Sequence, residues 1–302
     1  MDQRQKKELA GILEKGVEFE CPMSRYTTFR VGGPVEALCT IRDLEGLQRM
    51  VPYLEKEKIP YLVVGRGSNI LVRDDGFRGV AIILREKLAK VEPNGKSERI
   101  VLAGGGLALF ELLDYCKVKG LGGLEFLAGI PGTTGGAVAM NAGAWGCEVG
   151  SRVQQIQIVT SKGGLETLGR SRLKFNYRAL SIPKGSVIIS VKFELNQESP
   201  DAVFGKLSEY IKKRQEKQPS RYASGGSVFK NPPQDYAGRL IEKTGLKGKS
   251  VGGAMISPKH ANFIVNTGGA RAADILALMD LARRKVKEQM GVELEPEIKV
   301  IG

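Results

Sequence analysis

Residues 129–146 read GIPGTTGGAVAMNAGAWG, and the fold of the chain turns on how this stretch is read. Glycine stands at positions 129, 132, 135, 136, 143 and 146 and proline at 131, among small side chains. Neither a long helix nor a packed strand fits the first half, which reads as a loop with exposed backbone. Such a run lets peptide N–H groups approach an anionic ligand without a Cβ in the way, and Thr133 and Thr134 add hydroxyl donors. The competing reading is a set of tight turns at a sheet edge. The stretch matches neither the G-x-x-x-x-G-K-[ST] nucleotide loop nor a strict G-x-G-x-x-G fingerprint. A second glycine cluster, Gly65-Arg66-Gly67-Ser68-Asn69, tips the balance towards a pair of anion-binding loops. It lies between extended runs at 59–64 and 70–72, whereas a dinucleotide fingerprint leads from strand into helix. Loop amides, rather than a helix dipole, are therefore expected to hold phosphates.

Composition sets the outer limits. A chain of 302 residues is long for a single core, so roughly two or three domains are expected, and 42% hydrophobic content supplies them. No apolar run approaches the roughly 18 residues that span a bilayer, and the opening MDQRQKKELAGILEKG lacks the apolar centre of a secretion signal. The expectation is a cytoplasmic monomer without membrane association. Cys21, Cys39, Cys116 and Cys147 are scattered and His260 is the sole histidine, so no zinc spacing or disulfide framework is read and no metal is expected. The four thiols read as ordinary buried or half-buried groups. The same scarcity of histidine disfavours Ser-His-Asp or Cys-His hydrolysis. The 46 Lys and Arg against 33 Asp and Glu give a net charge of +13, which suits an anionic partner. These charges are dispersed, and KKRQEK at 212–217 lacks aromatic interleaving, so a nucleic-acid partner is not expected.

Along the chain, helices are expected at 1–16, at 44–58 behind an Asp43 cap, at 109–119 closed by Gly120, at 201–217, at 237–244 and at 274–290. Extended runs are expected at 26–31, 35–41, 59–64, 70–72, 79–83, 100–103, 153–159, 187–193, 227–230, 263–265 and 294–301, with 196–200 as the most linker-like stretch. This alternation is α+β with several small sheets, not one regularly wound parallel sheet.

Six motifs taken in order carry a resemblance: residues 64–69 (VGRGSN), 129–136 (GIPGTTGG), 141–144 (NAGA), Tyr177-Arg178, 226–232 (GSVFKNP) and 295–298 (EPEI). Together they resemble the UDP-N-acetylenolpyruvoylglucosamine reductases, flavoenzymes of peptidoglycan precursor synthesis, from about residue 20 to the end. The resemblance implies a vanillyl-alcohol-oxidase-type FAD-binding domain in two subdomains, 1–88 (joined by the tail 296–302) and 89–198, and an α+β substrate domain at 199–295. It implies non-covalent FAD, NADPH as reductant, and a UDP-sugar whose enolpyruvyl double bond is reduced. Many oxidases on the same scaffold tether FAD through a histidine, and none precedes His260 here. The interval between Arg178 and Lys217 is too short for the tyrosine-bearing flap of one branch, so the lidless branch is expected.

By the same match, Ser227 is the proton donor, and Arg178 and Glu297 stabilise charge on the enolpyruvyl group. The cofactor contacts are Val64, Gly65, Arg66, Gly67, Ser68, Asn69, Ile70, Ala128, Gly129, Ile130, Pro131, Gly132, Thr133, Thr134, Gly135, Gly136, Asn141, Ala142 and Gly143. Lys217, Lys230 and Asn231 are candidates for the diphosphate and sugar, because lysine offers a point charge and asparagine a donor and an acceptor. His260 either faces the substrate or caps a turn. Read alone, Arg178 suits a surface ion pair, Ser227 a turn and Glu297 a solvated acid; the ordered set favours catalysis. The family places a serine two residues after the arginine, whereas here Ala179 and Leu180 precede Ser181.

Overall fold

A computed structural model describes residues 1–93 and 97–302. The chain forms two compact units, one of Met1–Phe19, Glu36–Gly65 and Gly79–Lys212, the other of Glu20–Val35, Arg66–Arg78 and Lys213–Gly302.

In the first unit a five-stranded sheet runs in the order Leu165–Gly169, Val153–Val159, Val187–Glu194, Ile100–Gly104, Val91–Pro93, every neighbour antiparallel. The central strand Val187–Glu194 alternates apolar and polar residues over its second half. Val191 and Phe193 enter a core with Leu109, Leu112 and Cys116 of the helix Leu109–Lys119. That helix ends at Gly120 in the left-handed conformation, as its sequence requires. A second sheet orders Val17–Pro22, Pro34–Ile41, Phe77–Leu84 and Tyr61–Val63, the last pair parallel. The helix Leu44–Lys56 buries Leu47, Met50, Val51 and Leu54, spaced at three and four residues, in a core with Ile41 and Ile82. Its start is fixed by Asp43, whose carboxylate accepts from the Gly46 amide at 3.0 Å.

The second unit is built on an antiparallel sheet ordered Ala223–Ser227, Phe263–Asn266, Ala254–Ile256, Ser250–Val251. The helix Ala272–Met290 buries Ile275, Leu278, Met279, Ala282 and Val286 in one core with Phe229, Ile264 and Phe29. A parallel pair, Ile70–Val72 with Lys299–Ile301, ties the chain end to the strand that leaves the first glycine cluster. Among the described residues no helix is long and apolar enough to cross a membrane.

Four expectations change. Residues 26–31 are not extended: the Thr27 hydroxyl donates to the Val31 carbonyl at 2.7 Å and accepts its amide at 3.3 Å, closing a turn that sinks Phe29 into the core. The 129–146 stretch holds a short helix, Thr134–Ala139, because the Thr133 hydroxyl caps it by accepting from the Gly136 amide. Residues 196–200 are not a free linker, since Asn196–Gln197 pairs with Leu121–Gly122 and the Glu198 amide donates to Gly120 at 2.8 Å. Cys147 is exposed, while Cys21, Cys39 and Cys116 are buried. Burial pushes the Cys39 and Cys116 thiols up to about 12.

Candidate active site

In the first unit the two glycine-rich stretches meet through Gly65 and Thr133. A Cβ on Gly65 would overlap the Thr133 hydroxyl, which lies in a residue only 4% exposed. The strand end before it is pinned by the Val64 amide donating to Ile82 at 2.8 Å. Gly105 and Gly106, which follow the strand Ile100–Gly104, join the same floor. A Cβ on Gly135 would sit 3.0 Å from the Gly105 carbonyl, and the Gly135 amide donates to that carbonyl at 2.9 Å. The Thr134 amide and hydroxyl both donate to the Leu107 carbonyl, at 2.8 and 3.2 Å. Two amides read as phosphate donors are therefore spent in holding the loops together. Upstream, Ala128 and Ile130 donate to Glu125 and Leu127, the Gly132 amide turns back to Ile130, and Gly129, before Pro131, takes φ +78°.

Five glycines of this floor and the hydroxyl-bearing Thr133 and Ser186 line a cleft of about 110 Å³, closed by aliphatic side chains such as Leu84, Ile182 and Ile188. The Ser186 oxygen is buried and has no hydrogen-bond partner among the described residues. An uncharged, mostly aliphatic slot with one buried, unpaired hydroxyl fits a flat ring of a dinucleotide such as FAD. Gly105, Gly106 and Ser186 escaped the sequence reading: the glycines read as a strand break, and a lone serine in a turn has no signature.

Asn141, wholly buried, has its side chain committed inside the protein. Its amide donates to Glu148 at 2.8 Å and to the Asn176 carbonyl at 3.0 Å, and its oxygen accepts from Gly150 at 3.0 Å. Ala142 donates to Ala137, and Gly143 opens a hairpin with Cys147–Glu148. The Gly143 carbonyl accepts from Arg178 Nη1 at 3.1 Å. Arg178 sits in the two-residue turn between Lys174–Asn176 and Ala179–Ser181, at φ +58°, with its guanidinium 5.2 Å from the Tyr177 ring. A non-glycine residue held left-handed marks a position that its surroundings over-determine. The NAGA motif is thus the mould that sets Arg178. The Ser181 displaced by the unusual spacing ends a strand opposite Lys174. Between Arg178 and Lys217 the chain is occupied by strands and the helix Pro200–Lys217, where Tyr210 stacks on Trp145 at 6.2 Å.

In the second unit, Asn69, Ser227 and Glu297 converge. Ser227 closes the strand Ala223–Ser227 after a register shift that follows Ser224, so a bulge turns it out of regular alternation. The next residue, Val228, accepts the Glu297 amide at 2.8 Å, and Phe229 bridges to Pro296. Asn69 Nδ2 donates to the Glu297 carbonyl at 3.1 Å, and the Asn69 carbonyl accepts from Lys299 at 3.0 Å. Residue 226 is glycine at φ +78°, where a Cβ would approach the Ser68 carbonyl to 4.0 Å. Gly67 at φ +62° leaves no room for a Cβ against the Tyr26 carbonyl, and it accepts the Thr28 amide at 3.2 Å. Arg66 opens this segment and Ile70 pairs with Lys299. Three motifs distant in sequence, the first glycine cluster, GSVFKNP and EPEI, form one backbone-bonded constellation.

Of the substrate candidates, Lys230 is ion-paired with Glu295 and Lys217 is exposed at the end of its helix. Asn231 accepts the Ala237 amide at 3.1 Å, which anchors the start of the helix Ala237–Lys243. His260 caps a turn: its Nδ1 accepts the Asn262 amide at 3.2 Å, and its ring meets Phe263 edge-on at 4.8 Å. Burial holds its imidazole below the ordinary value. As the only histidine it gives one unambiguous titration, expected below about pH 6.5. Because the folded value is the lower one, its share of stability is complete above about 6.5 and is lost as pH falls through the folded value. Imidazole proton NMR against pH checks this; a midpoint above about 7 contradicts a buried neutral ring.

Comparison with known proteins places these features. The family model described as UDP-N-acetylenolpyruvoylglucosamine reductase, C-terminal domain, matches residues 218–301, and that described as FAD binding domain matches 35–169. A UDP-N-acetylenolpyruvoylglucosamine reductase of Syntrophus aciditrophicus is 42% identical over 98% of this chain and 96% of its own length. The crystal structure of the reductase from Thermus caldophilus aligns with TM-score 0.81 at 37% identity, covering 93% of this chain and 97% of that one. A substrate-bound p-cresol methylhydroxylase shares the fold alone, with TM-score 0.57 at 11% identity over 96% of this chain and 88% of that one. The fold is that of the vanillyl-alcohol-oxidase-type flavoproteins followed by the reductase C-terminal domain. The chain belongs to the UDP-N-acetylenolpyruvoylglucosamine reductase family.

Proposed function

We infer that the chain reduces UDP-N-acetylenolpyruvoylglucosamine to UDP-N-acetylmuramate with NADPH, in the synthesis of peptidoglycan precursors. The observation that carries this reading is the backbone pairing that sets Glu297 beside the residue following Ser227, with Asn69 bonded to the same segment. The glycine-rich stretches around Gly65 and Thr133 would hold FAD, which would supply the hydride, drawn from NADPH, for the terminal carbon of the enolpyruvyl group.

The chain's residues manage the charge and the proton. Hydride addition at the terminal carbon leaves an enolate on the neighbouring carbon and its carboxylate. Arg178 keeps its charge at any working pH and can grip that carboxylate with paired donors. A serine hydroxyl is a weak acid, so Ser227 gives up its proton only to a strongly basic carbon held close by. Protonation there completes the saturated lactyl ether. Glu297 shares the task of stabilising charge in that transition state, and its backbone tie to Val228 fixes it relative to Ser227.

Lys217, Lys230 and Asn231 hold the diphosphate and sugar. Lys230 is available to a phosphate because its exchange partner, Glu295, is largely exposed, and a solvent-screened pair contributes little. Residues 1–88 and 89–198, with the tail 296–302, serve the cofactor, and 199–295 serve the substrate. The glycines and Thr133 of the cleft, together with 66–70, hold the cofactor, and residues 141–143 contribute by setting Arg178. The enzyme works in the cytoplasm, where NADPH and UDP-sugars are made.

Acid precipitation of the purified yellow protein tests the cofactor assignment. The expected result is a yellow supernatant containing FAD. A yellow pellet, or a colourless protein that takes up no added FAD, overturns it.

A further inference from the structure

We propose that Ser186 is the side chain that reads the adenine end of the bound dinucleotide, inside the cleft of the first unit. The inference rests on the reading that the chain binds FAD, and it assigns which end of that molecule enters this slot and which group recognises it.

Ser186 precedes the strand Val187–Glu194 and closes a turn in which its amide donates to the Pro183 carbonyl at 3.1 Å. Gly185 within the turn has φ +74°. The turn is clamped by the Tyr61 hydroxyl, which donates to the Gly185 carbonyl at 2.7 Å. Tyr61 opens the strand whose continuation, Val63 and Val64, forms part of the cleft wall, so one strand both shapes the slot and fixes the serine. The serine oxygen is buried in that wall without a hydrogen-bond partner among the described residues. A buried hydroxyl left unsatisfied costs free energy, and a cleft that contains one is completed by a ligand with a matching polar edge.

The chemistry of the lining selects the ligand's end. None of the residues that line the slot is charged, and Thr133 and Ser186 supply its side-chain polar groups. The flavin ring becomes anionic on reduction and needs a cationic or strongly donating neighbour, which this lining lacks. Adenine stays neutral through the reaction, stacks well between aliphatic side chains, and exposes ring nitrogens that accept a hydrogen bond from a hydroxyl. The glycines of the same cleft are close-packed on the protein itself, since a Cβ on Gly65, Gly105, Gly106 or Gly135 would meet Thr133, Ile188, Leu84 or Gly105. They hold the walls together and leave recognition in the slot to the side chains.

Titrations of the apoprotein with FAD, ADP and FMN, followed by calorimetry or flavin fluorescence, test the assignment. Ser186→Ala is expected to weaken FAD and ADP by the same factor, roughly 3–10-fold, and to leave FMN unchanged, as loss of one neutral hydrogen bond predicts. Ser186→Thr, which keeps the hydroxyl, is expected to restore most of the ADP affinity. Unchanged ADP binding in Ser186→Ala overturns the proposal, as does an equal loss for FMN and FAD, which would put the flavin ring in the slot. Failure of the unmodified chain to bind FAD overturns the family reading instead. The melting temperature of the FAD-free protein separates unfolding from lost recognition, because a purely structural serine lowers it and weakens all three ligands together.

Discussion

Ser227→Ala is expected to keep near-normal reduction of the bound flavin by NADPH while slowing reduction of the enolpyruvyl sugar by about 10²–10⁴-fold, the range for loss of a positioned proton donor. The asymmetry follows from the order of events. Hydride arrives from NADPH before any proton is needed at substrate carbon, so the hydroxyl matters only in the second half-reaction. The backbone makes the test clean. Ser227 is held by its pairing with Phe263 and by the neighbouring Val228, whose carbonyl accepts Glu297 and whose amide donates to Asn262 at 2.8 Å. None of these bonds uses the serine oxygen, so alanine preserves the bulge and removes the proton. Stopped-flow absorbance of each half-reaction reads the two rates separately. Equal slowing of both would assign Ser227 to the architecture of the site.

Gly65→Ala is expected to weaken FAD binding by tenfold or more and to lower the melting temperature, and Thr133→Ala in the same chain is expected to recover much of both. The added methyl would overlap the Thr133 hydroxyl, and Thr133 is a stiff, buried, β-branched residue already engaged in capping the helix Thr134–Ala139. Overpacking of this kind typically costs about 1–3 kcal/mol. Removing the obstructing hydroxyl opens space at the price of a cap, worth about 1 kcal/mol, so recovery should be partial. Coupling between the two positions in a double-mutant cycle should reach about 0.5–3 kcal/mol. Strict additivity would mean that the two glycine-rich stretches do not meet at these residues.

Much of the fold could be read locally. The Asp43 cap, the apolar spacing of Leu47, Met50, Val51 and Leu54, and the Gly120 stop are signals that a short window contains, and each appears where expected. Residues 26–31 misled because a run of β-formers can also be closed into a turn by a single threonine hydroxyl, a choice made by Phe29 seeking the core. The glycine loops were legible as loops, but not the direction of their amides. Thr134 and Gly135 turn inward to Leu107 and Gly105, partners nearly thirty positions away. The side-chain partners of Asn141, Glu148, Gly150 and Asn176, are likewise known only after folding. His260, an open choice on sequence, accepts the Asn262 amide through Nδ1, a bond that only the folded turn reveals. The roles given to Ser227, Arg178 and Glu297 came from the ordered motifs. What the structure adds is the pairing of 228–230 with 295–297, a contact between segments more than sixty residues apart.

One measurement bears most directly on the enzyme's identity: anaerobic mixing of the NADPH-reduced holoenzyme with UDP-N-acetylenolpyruvoylglucosamine, monitored by the flavin spectrum and by product analysis. The expected result is rapid return of the oxidised flavin with one UDP-N-acetylmuramate formed per flavin. Flavin that stays reduced in the presence of this substrate would contradict it.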